Sequence, residues 1–480
     1  MDRDLQSIQE VRDLVRQAKE AQHILARMSQ GELDRLTQAI SQVGQEHARQ
    51  LGRMAAEETG FGVAGHKALK NEFAAKTVYE AIRNQKTVGI LAEDPAKQTI
   101  DIGVPVGVVA ALVPSTNPTS TVIYKAMISL KAGNPVIFSP HPGALNCILE
   151  TVGLVARAVE QAGAPRGAVS AITTPTLEAT NALMRHPDTR MILATGGMAM
   201  VKAAYSSGTP AIGVGAGNGP AYIHHSADVK EAVRRIFDSK TFDNGTICAS
   251  EQSIVLCRAM EDTVRRELTA QGGWILNPEE KEKLASFILR PNGTMNPAIV
   301  GKSAETLAEL AGLGTPPAGT RVLIVPEDQV GDKHPFSHEK LAPILALYVE
   351  ADEEAALARC VQILDFEGAG HSFLIHAKDR AAVERFALAV PASRIVVNSP
   401  GALGGIGATT NLFPAMTLGC GAVGGSSSSN NIGPLDLINI KRVAWGVRER
   451  SDLGGMDSSQ FTVDEDKLRA VVEQVLRRMV

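Results

Sequence analysis

The feature that most constrains this chain is an alternation running from Thr99 to Asn398, in which short apolar runs are separated by segments with helical period. The run Val106 to Val113 is apolar without a break, the pattern of a strand buried on both faces in a parallel sheet. STVIYKAMISLKAGN then reads as a helix closed near Gly133, PVIFSP as a strand, CILETVGLVARAVEQAG as a helix, and AVSAITT and MILATGG as further strands. Parallel strands need crossover connections, and such crossovers are right-handed, so the spacing predicts a doubly wound sheet with ligands beyond the C-terminal ends of its strands. The second half repeats the alternation. SIVLC, RVLIVP, LAPILALYV, SFLIHA and SRIVVN read as strands, and Met260 to Gly272, SAETLAELAG, EEAALARCVQIL and DRAAVERFALAV as helices. A second α/β domain is expected, without a sequence repeat between the halves.

The flanks differ in texture. The first ninety or so residues are charged and helical in period, with Leu5, Ile8, Val11 and Val15 on one face. Thr99-Ile-Asp-Ile alternates as a strand, and IGPLDLINIKRVAWG, after the low-complexity SSSSNN, reads as a late strand. RERSDLGGMDSSQF (448–461) has the composition of a polar linker. Beyond it, Thr462-Val-Asp-Glu465 has the form of a capping box, and Leu468, Val471, Val472, Val475, Leu476 and Met479 form one apolar stripe.

A net charge of −4 supplies no global attraction to nucleic acid or to an anionic membrane. The five cysteines are scattered and include no C-x-x-C pair, which argues against a disulfide framework and a zinc cluster and for reduced thiols. The N-terminal residues lack a signal-peptide profile, and the apolar run Val104 to Pro114 is too short to span a bilayer. A cytoplasmic protein is expected, with neither nucleic acid nor membrane as partner and no metal site.

Cys248 stands in FDNGTICASEQ, just after the turn signal Asp243-Asn-Gly. A free cysteine is most often a small buried hydrophobe. At a junction with unpaired backbone N–H groups, however, a thiolate or an oxyanion is stabilised, which suits a nucleophile.

FDNGTICASEQS, together with VPSTNPTSTVIYKAMISLKAGNPVIFSPHPGA upstream, resembles the CoA-acylating branch of the aldehyde dehydrogenase superfamily from about Thr99 to Gly446. The resemblance implies two doubly wound parallel-sheet domains with a small oligomerisation extension. Residues 1–93 and 105–222 would bind cofactor, 223–430 would be catalytic, 94–104 and 431–447 would form the extension, and 462–480 a terminal amphipathic helix. It further implies that Cys248 attacks an aldehyde, that hydride passes to a nicotinamide, and that the thioacyl enzyme is released by a second nucleophile. Asn117 matches the oxyanion donor, beside the backbone N–H of Cys248.

Hydrolytic members carry a water-activating glutamate, and the corresponding position here is Val214, in IGVGAGNGPAYI. That absence favours release to CoA, a thiol nucleophile. By the same resemblance Ser139, Pro140 and His141 lie against the adenosine ribose, Thr195, Gly196 and Gly197 form the turn near the pyrophosphate, and Glu339 holds the nicotinamide ribose. NAD is the expected cofactor, with NADP open. His371, in a G-x-G-H element, is assigned either to a place near CoA or the acyl group or to structural hydrogen bonding.

Other motifs weigh less. GVGAGNG lacks the third glycine of a dinucleotide fingerprint, and NPAIVGKS has Asn296 where a P-loop needs its first glycine. His224-His225 has no acid or thiol at ligand spacing, and Cys420 is expected to pack beside glycine backbone. The terminal helix either docks on its own enzyme or resembles the encapsulation peptides that recruit enzymes into bacterial microcompartments. The expected reaction joins a small aldehyde, CoA and NAD in a dimer or tetramer, in the cytoplasm or a microcompartment lumen. A hydrolytic aldehyde dehydrogenase and a cargo adaptor acting through its terminal helix stand as alternatives.

Overall fold

The computed structural model describes residues 3–450 and 464–477. Five helices open the chain: α1 (Arg3–Leu25), α2 (Gln30–Glu46), α3 (Ala48–Thr59), α4 (Ala64–Glu72) and the short α5 (Val78–Ile82). The buried stripe of α1 starts later than its sequence suggests. Leu5 is exposed, while Ser7 is buried through its hydroxyl contact with Thr176 at 2.8 Å. α2 begins at a capping box in which Ser29 and Glu32 satisfy each other's backbone N–H, two donors that would otherwise lack partners.

Two strands, β1 (Gly89–Asp94) and β2 (Thr99–Pro105), precede a five-stranded sheet made of β3 (Val108–Val113), β4 (Val136–Pro140), β5 (Val169–Ala171), β6 (Thr189–Thr195) and β7 (Ala211–Val214). Its order is β5-β4-β3-β6-β7, and every neighbouring pair is parallel. The unbroken apolar run of β3 is explained by what covers it. Val109, Ala111 and Val113 face a core shared with α2, α6 (Pro118–Lys131) and α7 (Leu145–Gln161). Val108, Ala110 and Leu112 face the opposite core, shared with α1 and α8 (Leu177–Arg185). β3 is central, with later strands laid first on one side and then on the other, so the order reverses at its C-terminal end. A crevice opens at such a switch point.

The second sheet holds β8 (Pro220–Ile223), β9 (Ser253–Cys257), β10 (Gly273–Ile275), β11 (Val322–Pro326), β12 (Ile344–Glu350), β13 (Gly370–His376) and β14 (Ala392–Val397). They lie in the order β10-β11-β12-β9-β8-β13-β14, all parallel. Four strands, β1, β10, β7 and β8, escaped the sequence pattern, the last two formed by IGVGAGNGPAYI around the connector Gly215–Gly219. Those two have only four residues each, too few for a periodicity to show. A division at 222/223 would cut β8, which is hydrogen-bonded within the second sheet.

Residues 142–161 have the length and apolarity of a membrane span, a stretch longer than the run Val104 to Pro114 singled out above. Most of it is α7, whose Cys147, Ile148, Val152, Val155 and Val159 are core residues.

A separate unit comprises Ile90–Ile102 and 440–480. Its sheet has the order β1-β2-β15, with β15 at Ile438–Ala444. Arg442 grips Asp101 through Nε at 2.6 Å and Nη2 at 3.1 Å. A helix spans Glu465–Leu476, and its N-cap is Asp464, whose carboxylate accepts from Lys467 N–H. Thr462, Met479 and most of the expected linker lie outside the described residues.

His376, in β13, is buried, and neither ring nitrogen has a hydrogen-bond partner among the described residues. Burial, aided by Arg235, pushes its pKa from 6.5 down to about 4. Below pH 6.5 the unfolded chain binds a proton that the fold refuses, so this histidine costs stability as pH falls from 6.5 toward 4. His376→Leu is expected to keep the fold and to flatten that part of the pH dependence of Tm; an unchanged slope would refute the assignment.

Candidate active site

The cysteine loop is built by an unusual turn. α10 (Val229–Thr241) ends, and Asp243, Asn244 and Gly245 follow with φ of 50°, 51° and 76°. Two non-glycine residues in the left-handed region cost roughly 1–2 kcal/mol each, so something must hold them. The Asp243 carboxylate supplies it. Oδ1 accepts from Val63 N–H at 2.7 Å, and Oδ2 accepts from Lys67 Nζ at 3.0 Å, from the Thr246 hydroxyl at 2.7 Å and from Lys70 Nζ. Asp243 N–H donates to His66 Nδ1 at 2.9 Å, and Asn244 Nδ2 to the Gly301 carbonyl at 2.9 Å. The two lysines stand one turn apart on α4 and are, like Asp243, fully buried. Burial opposed by these lysines leaves the Asp243 carboxyl below its usual range. Burial, opposed by Asp243 and reinforced by Lys67, brings Lys70 down to about 8.

Lys70 also reaches Asn117. Its Nζ donates to Asn117 Oδ1 at 2.6 Å and to the Thr246 hydroxyl at 3.0 Å. Asn117, at the switch point beyond β3 and the N-cap of α6, turns Nδ2 toward the Thr246 carbonyl and the Thr116 hydroxyl, both at 3.2 Å. The expected oxyanion donor and the cysteine loop are therefore joined through Thr246, two residues before Cys248.

Cys248 is half-buried, and His371 Nε2 lies 3.2 Å from its Sγ. The other ring nitrogen of His371 meets the Ser372 hydroxyl at 2.9 Å. Burial pushes the Cys248 thiol up to about 12, helped by Glu339 and Cys420 and opposed by Arg394. Burial, with Arg394, brings His371 down to about 3. Without ligand both groups are neutral: a thiol beside an imidazole able to accept its proton.

The glycine connector fixes where Cys248 sits. A Cβ on Gly217 would fall 1.8 Å from the Cys248 carbonyl oxygen, so only glycine lets the two backbones approach. Gly217 N–H donates to Glu339 Oε1 at 2.9 Å. Glu339, assigned from sequence to a ribose, thus sits on the connector in the electrostatic field of Cys248. Burial, then Glu367, raises its pKa to about 8. Cys420 is packed against glycine backbone at Gly370 and Gly424, as its sequence context suggests.

The remaining expected cofactor residues fall along the C-terminal edge of the five-stranded sheet. Pro140 pairs with Val113 across β4 and β3, and Thr195 with Val214 across β6 and β7. The Ser139 hydroxyl is buried against Thr180 at 2.8 Å, and His141 Nδ1 accepts from Gly143 N–H at 3.0 Å. Gly196 leads into Gly197, the N-cap of α9 (Met198–Tyr205), which has no side-chain cap. Thr195 Oγ1 is buried without a partner among the described residues. An orphaned hydroxyl beside an uncapped helix N-terminus at a switch point fits the phosphates of a dinucleotide. Val214 is buried and apolar, so the edge carries no carboxylate at that position.

His224 and His225 do meet an acid, Glu353, with potential ligand atoms within 4.8 Å. The sequence separation of Glu353 hid it. Ser226 N–H donates to His224 Nδ1 at 3.1 Å, which leaves the proton on Nε2, 3.4 Å from Glu353 Oε2, and Arg385 pairs with the same carboxylate. The arrangement is a hydrogen-bonded network that needs no ion.

Sequence reasoning missed Lys67, Lys70 and Gly217. The lysine pair in HKALK, with Leu69 exposed beside it, has the composition of a solvated face, and nothing in the sequence names its partner Asp243. Because Gly217→Ala must displace the Cys248 carbonyl, turnover should fall by roughly 10²-fold with the fold retained; near-normal turnover of the folded variant would show that this contact does not place the nucleophile.

Comparison with known proteins places the chain in a family. The profile described as the aldehyde dehydrogenase family matches residues 4–408. The bifunctional aldehyde-alcohol dehydrogenase of Escherichia coli is 44% identical over 443 residues, covering 91% of this chain and 50% of that protein. This chain thus spans about half the length of its bifunctional relatives. An acetylating aldehyde dehydrogenase from Geobacillus thermoglucosidasius has a solved structure that is 50% identical, with a TM-score of 0.91 and coverage of 93% and 99% of the two chains. A propionaldehyde dehydrogenase from the Clostridium phytofermentans fucose utilisation bacterial microcompartment is 30% identical, with a TM-score of 0.82 over 91% and 97%. With the family match over residues 4–408 and its two parallel sheets, this chain belongs to the aldehyde dehydrogenase family.

Proposed function

We propose that the protein is a CoA-acylating aldehyde dehydrogenase that converts a small aldehyde, CoA and an oxidised nicotinamide cofactor to acyl-CoA and the reduced cofactor. The observation that carries the proposal is the pairing of Cys248 with a neutral histidine, while Val214 occupies the position of the hydrolytic carboxylate. The 50% identity to an acetylating enzyme supports it.

In this reading His371 takes the thiol proton as Cys248 Sγ attacks the aldehyde carbon, and Asn117 Nδ2 and the Cys248 N–H receive the oxyanion. Thr195, Gly196, Gly197, Ser139, Pro140 and His141 would hold a nicotinamide cofactor, which would supply the hydride acceptor. His371 then releases to solvent the proton taken from Cys248, and the thioester left on Cys248 passes its acyl group to the CoA thiol, whose proton His371 relays to the departing Cys248 Sγ. Since burial disfavours a thiolate here, the positive charge of the oxidised nicotinamide would help to form it. NAD is the proposed form.

A second reading follows from Glu339. A buried carboxylate close to the cysteine could activate water, giving a hydrolytic enzyme without the usual glutamate. The two readings part on CoA. With acetaldehyde or propionaldehyde and NAD, sustained NADH formation should require CoA and yield acyl-CoA by mass spectrometry, and Cys248→Ala should lose roughly 10⁴-fold or more. Steady NADH formation and free acid without CoA, abolished by Glu339→Gln, would establish the hydrolytic reading instead.

We also propose that the small unit serves assembly. Ile440, Val443 and Trp445 on and after β15 are exposed, as are Leu468, Val471, Val472, Val475 and Leu476 of the Glu465–Leu476 helix. Exposed apolar stripes of this kind mark interaction surfaces. The strand would join copies of the chain and the helix would dock on microcompartment shell or cargo proteins, as an encapsulation peptide does. Removing residues 464–480 should abolish co-sedimentation with shell proteins, while activity and a light-scattering mass above one 50.8-kDa chain persist. Retained co-sedimentation removes the helix proposal, and a monomer mass in the intact protein removes the oligomer.

A further inference from the structure

We infer that Lys70 is a positioning residue for the oxyanion site: it selects the amide orientation of Asn117 that presents a donor, rather than an acceptor, to the reacting carbonyl oxygen. The inference rests on the proposed role of Asn117 and Cys248 and extends it to a residue outside the nucleophile loop.

A primary amide has two orientations of nearly equal shape, related by a half-turn that exchanges oxygen and nitrogen. Flipped, Asn117 would direct a lone pair at the developing oxyanion and oppose the reaction that it serves. Lys70 makes the two orientations unequal. In the observed one, Oδ1 receives a charged donor at 2.6 Å, while Nδ2 makes only two long contacts at 3.2 Å. Flipped, the amide NH₂ would face the ammonium and Oδ1 would face the Thr246 carbonyl, two repulsions in a buried site. The strong bond is on the oxygen and the weak ones are on the nitrogen, so Nδ2 is free to turn toward an oxyanion without losing what orients it. A cation on Oδ1 also polarises the amide and strengthens Nδ2–H as a donor.

Lys70 is itself held without slack. Its three protons go to Asn117 Oδ1, Asp243 Oδ2 and Thr246 Oγ1. The titratable groups facing it are Lys67, Asp243 and the neutral Cys248 thiol, with His66 next to Asp243 and the Phe242 ring 5.9 Å away. With two lysines and one aspartate the cluster carries one charge more than neutralising Asp243 requires. Lys67 alone would balance that carboxylate, and Val63 N–H and Thr246 would still satisfy it. The second cation is surplus to folding and sits where it touches the catalytic asparagine.

Its removal is therefore testable without loss of the fold. The readout is the pre-steady-state burst of reduced cofactor from aldehyde in the absence of CoA, a half-reaction common to the acylating and hydrolytic readings. A failure of the CoA assignment leaves it readable. Lys70→Met is expected to slow the burst by about 10–100-fold, and Asn117→Ala by about 10²–10³-fold. The combination should be no slower than Asn117→Ala alone within about threefold, since Lys70 acts only through the amide. Lys67→Met, which removes an equal charge from the same carboxylate and a donor to the Thr116 carbonyl at 2.9 Å but none to the Asn117 side-chain amide, serves as the control and should lose less than about fivefold. Iodoacetamide alkylation of Cys248, followed by mass spectrometry, should proceed at a similar rate in all these variants. Additive losses for Lys70→Met and Asn117→Ala, or equal losses for Lys67→Met and Lys70→Met, would overturn the inference and leave Lys70 with a charge-balancing role. Should Lys70→Met fail to fold, Lys70→Arg restores the cation at a different reach, and a normal burst there with an unaltered response to Asn117→Ala would equally refute it.

Discussion

The site depends on one buried carboxylate. Asp243 closes a left-handed turn that would not form unaided, and it does so by drawing two lysines out of solvent on a helix more than 170 residues earlier in the chain. Burying three charges is expensive, and clusters of this kind rarely gain stability over an apolar core. Removing the carboxylate would leave two cations buried without an anion, which costs about 3–5 kcal/mol in comparable cases. What the fold obtains is placement. The carboxylate fixes Thr246, Thr246 lies beside Asn117, and two residues later the chain presents Cys248. Cys248 and Asn117, the proposed nucleophile and oxyanion donor, come from distant stretches of the chain, and Asp243 is where their positions are settled together.

The two sheets contribute to the site by opposite edges. The five-stranded sheet follows the usual rule for parallel sheets, offering the C-terminal ends of β3, β4 and β6 around a switch point. The seven-stranded sheet does the reverse. Cys248 lies before β9, the glycine connector before β8, Glu339 before β12 and Gly368 with Ala369 before β13, so its N-terminal edge faces the chemistry. Those four strands are contiguous in the order β12-β9-β8-β13, which places loops from four distant stretches side by side. Close approach is then limited by side chains, and glycine removes the limit at Gly217.

Much of this was legible in the sequence, for reasons that differ by element. The strands of both sheets with five or more residues read out as apolar runs because they are covered on two faces, and β3 shows this most clearly. Cys248 and Asn117 could be singled out because they sit in quotable motifs. β7 and β8 were hidden by their length and by the glycines between them. The charge cluster was hidden for a deeper reason. Lys67 and Lys70 on a helix carry the composition of a solvated face, and only the three-dimensional path of the chain reveals that Asp243 lies against them. Glu339 shows a related gap. Its motif suggested a ribose contact, but its bond to Gly217 N–H and its influence on Cys248 follow from a connector whose course no local pattern foretold.

The protonation states also explain why so reactive a pair can be kept in a cell. Burial moves Cys248 and His371 apart in pKa, to about 12 and about 3, so both hold their neutral forms. Ordinary enzymes activate a cysteine by pairing it with an imidazolium, but here Arg394 penalises that cation and Glu339 penalises the thiolate. The two penalties have opposite remedies. A positive charge brought close to Sγ would favour the thiolate directly, and it would do so only while that charge is present. Reduction of a nicotinamide removes its ring charge, so the help given to thiolate formation at the start of a turnover would be withdrawn once hydride has moved. A cysteine held mainly as the thiol reacts more slowly with electrophiles than a thiolate would. Once its sulfur carries the acyl group, release falls to whichever nucleophile next reaches the thioester.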